Sequence, residues 1–522
     1  MEKERTCNLL RHNENLKLKL IVESAIIGAI VGLTIVLHRI ALDKISDVFM
    51  GLYTHSKGNI FNIVLLFGLL IISGYIVGLM VKKVPMISGS GIPQVEGILM
   101  KKLKGNWLSI LINKFVGGLL ALGAGLSLGR EGPSVQMGAS IGEGFAKIFK
   151  RVSTEEKYLI TSGASAGLAA AFNAPISGVM FALEEVHKNF SPLVLLSVMS
   201  SALMSDFVTK KLLGLDNALN FQGVQVLDLK YYWLLIILGV IVGISGVIFN
   251  SGILKTQSMF KKSKLSTEIK VIIPFLITGV VGLTAPALIG GGHGLIMSLG
   301  DSSITLKMLL LFLLAKFFLT FVGFGSGVPG GIFFPLLVLG ALIGNIFGII
   351  AINAFDIPSI YILNFIILAM AGNFASIVKA PITGIILICE MTGSFEHLLS
   401  LSIVCVIAYI TSDLFKSEPI YESLLERCLE SGNNKFEPNK ARKSLLEIVV
   451  HIGSEVEHKQ IKDITWPENC LIVSITRGGK EIIPSGDTIL LGGDYLTIIA
   501  NEEDSACALD HVTDLTSNIN IL

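Results

Sequence analysis

The segment best suited to chemistry is a charged pentapeptide, Gly129-Arg130-Glu131-Gly132-Pro133, which interrupts an apolar, glycine-rich stretch. An ionisable side chain at membrane depth is costly, so by default it marks a functional site. A carboxylate held at the start of a helix competes with an anion for the same positive potential, whereas a protonated carboxyl group loses that attraction. We therefore interpret Glu131 as a proton-operated gate on an anion path.

Three segments rich in glycine and proline could each start a helix inside a membrane. They are residues 89–93, 129–133 and 327–333, with candidate site positions Gly89, Gly91, Pro93, Gly129, Gly132, Pro133, Gly330 and Gly331. The first N–H groups of such a helix are unpaired and carry partial positive charge, so they bind an anion without any basic side chain. The hydroxyl group of Ser90 would add a donor. A cation site would need rings of carboxylates or carbonyls such as TVGYG, which the sequence lacks.

The composition predicts that these segments belong to a polytopic membrane protein, because 52% of the residues are hydrophobic and only 16% are charged. Four stretches contain no Asp, Glu, Lys or Arg: residues 59–81, 233–254, 271–300 and 317–355. Each is long enough to cross the roughly 30 Å hydrocarbon core of a lipid bilayer. Gly-Val-Pro-Gly-Gly and Gly-Gly-Gly-His interrupt two of these stretches, so we expect broken or re-entrant helices there.

The membrane part repeats itself, with halves at roughly 20–215 and 230–428. Lys114-Phe115 recurs as Lys316-Phe317, and the Ala-Pro-Ile-Ser-Gly segment from residue 174 recurs as Ala-Pro-Ile-Thr-Gly from residue 380. Glu184 recurs as Glu390, whereas its neighbour Glu185 corresponds to Met391. Two homologous halves with glycine-broken segments are typical of transporters that bind their substrate at the repeat interface. Repeated Lys114 and Lys316 are better explained as structural, and unrepeated Glu185 as functional.

Basic residues predict the orientation of the chain in a plasma or inner membrane. They lie in the polar segment 1–19, which shows no cleavable signal peptide, and in a later loop that contains Lys255, Lys261, Lys262, Lys264 and Lys270. The positive-inside rule places both regions, and hence both termini, in the cytoplasm. The six scattered cysteines, with no CxxC pair, indicate neither a metal site nor disulfides. No motif calls for a cofactor or an enzyme activity, the net charge of +1 gives no support to nucleic-acid binding, and His293 is expected to be a loop histidine.

The composition changes after residue 428. Residues 429–443 are polar and predict an exposed linker. Residues 444–522 contain short β-rich runs at 446–452, 471–476, 481–484 and 495–500, separated by glycine-rich turns. We predict a small soluble α+β domain with a helical end after Glu502.

Four motifs together resemble the CLC family of chloride channels and chloride/proton antiporters. They are GSGIP at 89–93, GREGP at 129–133, GVPGGIFFP at 327–335, and Tyr421 within EPIYESLL. The resemblance implies an all-α fold of tilted and broken helices in two inverted repeats, assembled as a homodimer with one pore per subunit. It also implies that the Ser90 and Tyr421 side chains and the Ile332 and Phe333 backbone amides face a central chloride. Without the resemblance, Tyr421 would be explained equally well as an aromatic residue at the membrane–water interface.

The same resemblance makes Glu131 the external gating glutamate and Glu185 the internal proton glutamate, which pure channels of the family commonly lack. The alternative for Glu185 is a solvated acidic residue at a helix end, near His187 and Lys188. The main interpretation is therefore exchange of chloride and similar small anions for protons. A proton-gated or voltage-gated chloride channel of the same fold is the alternative, and a cation transporter is a third interpretation.

The cation alternative arises from the tail, which is similar to the RCK C-terminal (TrkA-C) regulatory domain. The similarity runs from Ile452-Gly453-Ser454 through Arg477-Gly478-Gly479-Lys480 to Gly493-Asp494. It implies a cytoplasmic domain that binds a small molecule or an ion to regulate transport. A passive β-rich appendage is the alternative.

Overall fold

We describe the protein from a computed structural model. It describes residues 2–56, 59–188, 190–214, 219, 221, 224–299, 304–431, 443–467, 470–478, 480–501 and 505–517. The chain divides into two compact units, Met1–Ser431 and Gly432–Leu522, and each is described by itself. The predicted linker at 429–443 falls largely on residues 432–442, which lie outside the described residues.

Apart from an isolated β-bridge, the secondary structure of the first unit consists of helices in the part of it that the structure describes. Its helices are α1 (Glu2–His55), α2 (Ile60–Lys83), α3 (Ile92–Leu99), α4 (Trp107–Gly123), α5 (Glu131–Ile148), α6 (Ser153–Phe172), α7 (Pro175–Phe181), α8 (Pro192–Leu213), α9 (Trp233–Lys262), α10 (Thr267–Thr284), α11 (His293–Ser298), α12 (Leu306–Gly325), α13 (Phe333–Phe355), α14 (Ile362–Val378), α15 (Pro381–Thr392), α16 (Leu398–Leu414) and α17 (Ile420–Ser431). The segment 1–19, predicted to precede the first helix, is already helical from Glu2, because residues 2–19 contain no glycine or proline to break it.

Eight helices among the described residues are long and apolar enough to cross a membrane. They cover residues 17–55, 60–83, 192–213, 233–262, 267–284, 306–325, 333–355 and 359–378. Shorter helices such as α3, α7 and α11 lie between them. The predicted polytopic helical fold with broken helices is therefore confirmed.

The two halves of the membrane unit repeat the same short breaks. In the first half, Gly91 with φ 94° precedes α3, and in the second half Gly292 with φ 100° precedes α11. Both residues adopt the left-handed conformation that glycine tolerates without strain. Lys114 Nζ donates to the carbonyl oxygen of Gly89 at 2.7 Å, and Lys316 Nζ donates to that of Gly290 at 2.9 Å. These matched contacts support a structural role for both lysines.

The two halves contact each other through the backbone segments that precede α5 and α13. Gly129 N donates to Gly331 O and Gly331 N donates to Gly129 O, both at 2.7 Å, as an antiparallel bridge. Because these two glycines are equivalent positions of the repeat, antiparallel pairing means that the equivalent segments run in opposite directions. The repeat is thus inverted, which sequence identity alone did not reveal.

A reciprocal pair of glutamates joins the halves at a second place. Glu390 accepts hydrogen bonds from the amides of Ile176 and Ser177 at the start of α7. Glu184 accepts in the same way from Ile382 and Thr383 at the start of α15. Each carboxylate therefore caps the positive end of the short helix in the opposite half.

Replacing Glu390 by Ala should destabilise the membrane unit, because the first amides of α7 lose a charged acceptor. Hydrogen bonds to a charged group contribute about 2–3 kcal/mol, so we expect an unfolding midpoint lower by several degrees. Thermal unfolding of the purified protein in detergent measures this. Glu396→Ala, at an exposed glutamate nearby, is the control. Equal midpoints for the two variants would contradict the capping role.

Close packing of α5 against α6 fixes the start of α5. Gly138 and Gly163 face each other so closely that a Cβ on either residue would collide with the carbonyl group of the other. In the second half, a Cβ on Gly344 of α13 would collide with the Phe365 carbonyl of α14. Small residues let helix backbones approach closely in membranes. The helices that carry the candidate site are therefore held rigidly.

The second unit contains a four-stranded antiparallel sheet and a helix. The strands β1 (Lys443–Val449), β2 (Cys470–Arg477), β3 (Lys480–Ile482) and β4 (Tyr495–Asn501) lie in the order β1-β4-β2-β3, and α18 (Ser505–Ser517) follows. Burial disfavours the charge of Asp494, but hydrogen bonds from Arg477 and the Leu491 amide hold its pKa below the usual value. The predicted small α+β domain with a helical end is confirmed.

Candidate functional site

The three glycine-rich segments come together in the middle of the membrane unit. The Gly129–Gly331 bridge joins the starts of α5 and α13, and Gly330 N donates to Gly89 O at 3.0 Å beside the start of α3. A Cβ on Gly132 would lie 2.8 Å from the Ser90 carbonyl oxygen and 3.1 Å from the Gly331 Cα. Three helix starts thus converge where only glycine allows the backbones so close. The site positions Gly91, Pro93 and Pro133 belong to the same segments.

Ser90 and Tyr421 are both buried near this convergence. Ser90 Oγ accepts a hydrogen bond from the Ile92 amide at 3.1 Å, which leaves its O–H free to donate. Tyr421 is the second residue of α17, and its Oη has no hydrogen-bond partner among the described residues. Leaving a buried hydroxyl group unpaired costs roughly 1–3 kcal/mol, so the phenol is suited to a ligand.

Aromatic packing connects Tyr421 to the start of α13. The Tyr421 ring lies edge-on to the ring of Phe181 of α7, with 6.5 Å between the ring centroids. The Phe181 ring in turn lies edge-on to that of Phe333, with 5.9 Å between the centroids. Ile332 and Phe333 are buried at the N-terminus of α13, where backbone amides have no carbonyl of a preceding turn to bond. The structure therefore brings all four residues predicted to face chloride to one region.

Glu131 is the first residue of α5, and its side chain is only 2% exposed. The carboxylate is folded back against Gly129, where a Cβ would collide with its Oε2, and it faces the backbone amides of Glu131 itself and Phe334. Oε2 has no hydrogen-bond partner among the described residues. The carboxylate therefore occupies the positive end of α13 as an anion would.

A cavity of about 550 Å³ is lined in part by Glu131. Its lining includes Arg39, Arg130 and His293. His293, expected in a loop, is the first residue of α11, and its ring stacks on Phe334 at 6.2 Å. Arg130 Nη2 donates to the Ala171 carbonyl oxygen at 3.3 Å, so this guanidinium has a structural contact as well as a place in the cavity wall.

Glu185 lies on a π-helical turn, Ala182–Val186, that continues α7. Such a turn inserts an extra residue and changes the direction of the side chains on it. The equivalent helix of the second half, α15, is a regular α-helix. The Glu185 side chain is 4% exposed, and its Oε1 has no partner among the described residues. The alternative of a solvated residue at a helix end is therefore wrong.

Sequence reasoning missed Glu96, which lies on α3 and is 1% exposed. The negative charges of Glu96 and Glu185 are close enough to repel each other, and both also act electrostatically on the Tyr421 hydroxyl group. One signal was present in the sequence: Glu96 is the fifth residue of α3, and the fifth residue of α11 is Met297. Glu96 therefore resembles Glu185, because each is a carboxylate in one half of the repeat only.

These features define a class of protein: an inverted-repeat membrane transport protein with helix starts that converge on an anion-binding region. The family model described as voltage gated chloride channel matches residues 73–413, and a TrkA-C domain model matches residues 445–509. The protein belongs to this voltage-gated chloride channel (CLC) family, which transports ions and is not a family of enzymes. A TrkA-C domain follows the membrane unit.

Similar proteins agree with this assignment. The H(+)/Cl(-) exchange transporter ClcA of Vibrio parahaemolyticus is 36% identical over 426 residues, which cover 79% of this chain and 90% of the relative. ClcA of Salmonella typhimurium is 34% identical over 432 residues, covering 80% and 91%. The crystal structure of a slow cyanobacterial Cl-/H+ antiporter superposes with a TM-score of 0.75 at 30% identity, covering 79% of this chain and 99% of that one.

Proposed function

We propose that this protein exchanges chloride, and similar small anions, for protons across a membrane. The observation that carries the proposal is the position of the Glu131 carboxylate at the convergence of helix starts, where it stands in for an anion. Protonation removes its attraction to the backbone amides and lets the side chain leave, so that chloride takes its place. Anion binding and proton binding are then linked at one site. The curated relatives named as exchange transporters support the same function.

The remaining roles follow from this exchange. Ser90, Tyr421 and the amides of Ile332 and Phe333 bind the central chloride. Glu131 is the external gate, and Glu185 receives protons on the other side. A chloride channel of the same fold is the second candidate, because a movable Glu131 alone would open a pore.

A chloride efflux experiment tests the anion assignment. Liposomes that contain the protein should lose chloride faster than protein-free liposomes, as followed with a chloride electrode. Liposomes loaded with potassium and a large organic anion should not lose potassium. Potassium loss without chloride loss would contradict the proposal and favour the cation transporter that the TrkA-C domain suggested.

Replacing Tyr421 by Phe should weaken chloride binding. The substitution removes one hydrogen-bond donor to an anion, worth about 1.5 kcal/mol, so the dissociation constant should rise roughly tenfold. Titration calorimetry with chloride measures this. Tyr53→Phe is the matched control, because Tyr53 is also buried but its Oη donates to the Ala124 carbonyl oxygen. Equal affinities in both variants would remove Tyr421 from the site.

Membrane orientation and assembly are part of the same proposal. The basic segments that flank the apolar helices support cytoplasmic termini in a plasma or inner membrane. Membership of the CLC family supports a homodimer with one pore per subunit. The TrkA-C domain would bind a small molecule or an ion. Protease protection of the C-terminal domain in sealed vesicles tests the orientation. Mass measurement in nanodiscs tests the homodimer.

A further inference from the structure

The carboxylate of Glu96 is buried and accepts no hydrogen bond from the described residues. The side chain is 1% exposed, and neither Oε1 nor Oε2 has a hydrogen-bond partner among the described residues. Burying an unpaired carboxylate costs several kcal/mol, and such groups normally take up a proton instead. The mechanism proposed above assigns no role to this residue.

The position of Glu96 links the chloride segment to Glu185. It lies on α3, which starts beside Ser90 at the convergence of helix starts. The same helix packs against α17, α5 and the π-helical turn that carries Glu185. Tyr421 is within electrostatic reach of Glu96, Glu185 and Glu131. Glu96 therefore lies on the helix that connects the chloride segment to the turn that carries Glu185.

The charged groups around Glu96 do not suffice to keep both carboxylates ionised. Glu96 and Glu185 share one cation, Lys188, whose Nζ already pairs with Glu422 at 2.6 Å. Glu184 also acts on Glu185, but its oxygens are occupied by the amides of α15. On α5, Gln136 lies against Gly91 at the start of α3, and its neutral amide adds no charge there.

We propose that Glu96 and Glu185 form a pair of carboxyl groups that together hold one proton. Two like charges in one buried site cannot both ionise easily, so one proton stays with the pair. This inference rests on the proposed exchange function and adds a second proton-carrying residue to it. The pair takes its proton from water, Glu185 gives it up toward Glu131, and a new proton from water restores the pair. Only O–H bonds break and form.

The proposal predicts a shifted pH dependence for Glu96→Gln. A neutral amide removes the like charge beside Glu185 and leaves Lys188 to Glu185, so Glu185 ionises at lower pH. The pH of half-maximal proton transport should move at least one unit toward acid, and chloride bound per protein should not change. Proton and chloride fluxes of liposomes over a range of internal pH measure this. Glu143→Gln is the matched control, because Glu143 is also buried but is paired with Lys147.

A pH profile of Glu96→Gln that superimposes on the unmodified protein would overturn the pair. If the variant does not fold, the infrared band of a protonated carboxyl group in Glu131→Gln decides. Its area at neutral pH should correspond to one protonated carboxyl group for Glu96 and Glu185 together. An area of two carboxyl groups, or no band at all, contradicts the pair. If the unmodified protein moves chloride without protons, the exchange function fails, while the infrared result still judges the pair.

Discussion

Proton transport should stop in Glu131→Gln while chloride transport continues. Glutamine has nearly the shape of glutamate but cannot bind and release a proton, and it lacks the charge that competes with chloride for the helix starts. Proton flux should therefore fall to the level of protein-free liposomes, and chloride flux should no longer depend on pH. Simultaneous chloride and pH recordings on reconstituted protein measure both.

Glu396→Gln is the control for this experiment, because it makes the same chemical change at an exposed glutamate of the same unit. Its chloride and proton fluxes should equal those of the unmodified protein. Glu131→Ala should resemble Glu131→Gln, since both lack the ionisable group. Proton transport that survives in Glu131→Gln would remove Glu131 from the coupling mechanism.

Glu185→Gln should also lose proton transport, but for a different reason. Glu131 can still titrate from the cavity beside it, so the gate still opens and closes. The internal supply of protons is cut, because glutamine cannot bind and release a proton and the other carboxyl group of the π-helical turn, Glu184, caps α15. We expect chloride flux within a few-fold of the unmodified value, with proton flux at background.

The adjacent glutamate gives the sharpest control for Glu185. Glu184 accepts hydrogen bonds from the start of α15 and has a repeat counterpart in Glu390, so its role is structural. Glu184→Gln should lower the unfolding temperature but keep the ratio of chloride to proton flux. If Glu184→Gln uncoupled protons and Glu185→Gln did not, the two roles would have to be exchanged.

Much of this site could be predicted from local sequence. Glycine and proline are unfavourable inside helices, so their clusters in the motifs indicated the starts of α3, α5 and α13. The matched positions of Lys114 and Lys316, and of Glu184 and Glu390, revealed the repeat. Both pairs prove to make equivalent contacts in the two halves.

Other features depend on contacts between distant segments and were not visible. The direction of one half relative to the other follows from the Gly129–Gly331 bridge, which no local pattern encodes. The burial of Glu96 follows from the packing of α3 against α17, α5 and the π-helical turn, so a residue that looks ordinary in the sequence proves to accept no hydrogen bond from the described residues. The strand order β1-β4-β2-β3 likewise depends on which strands meet, not on where each begins.

The most direct test of the account is proton movement driven by chloride alone. Liposomes that contain the protein are loaded with concentrated chloride and diluted into low chloride at equal pH, with potassium and valinomycin holding the membrane potential at zero. We predict that protons enter as chloride leaves, so the external solution becomes more alkaline until a protonophore reverses the change. Chloride efflux with no change in external pH would contradict exchange and establish a channel.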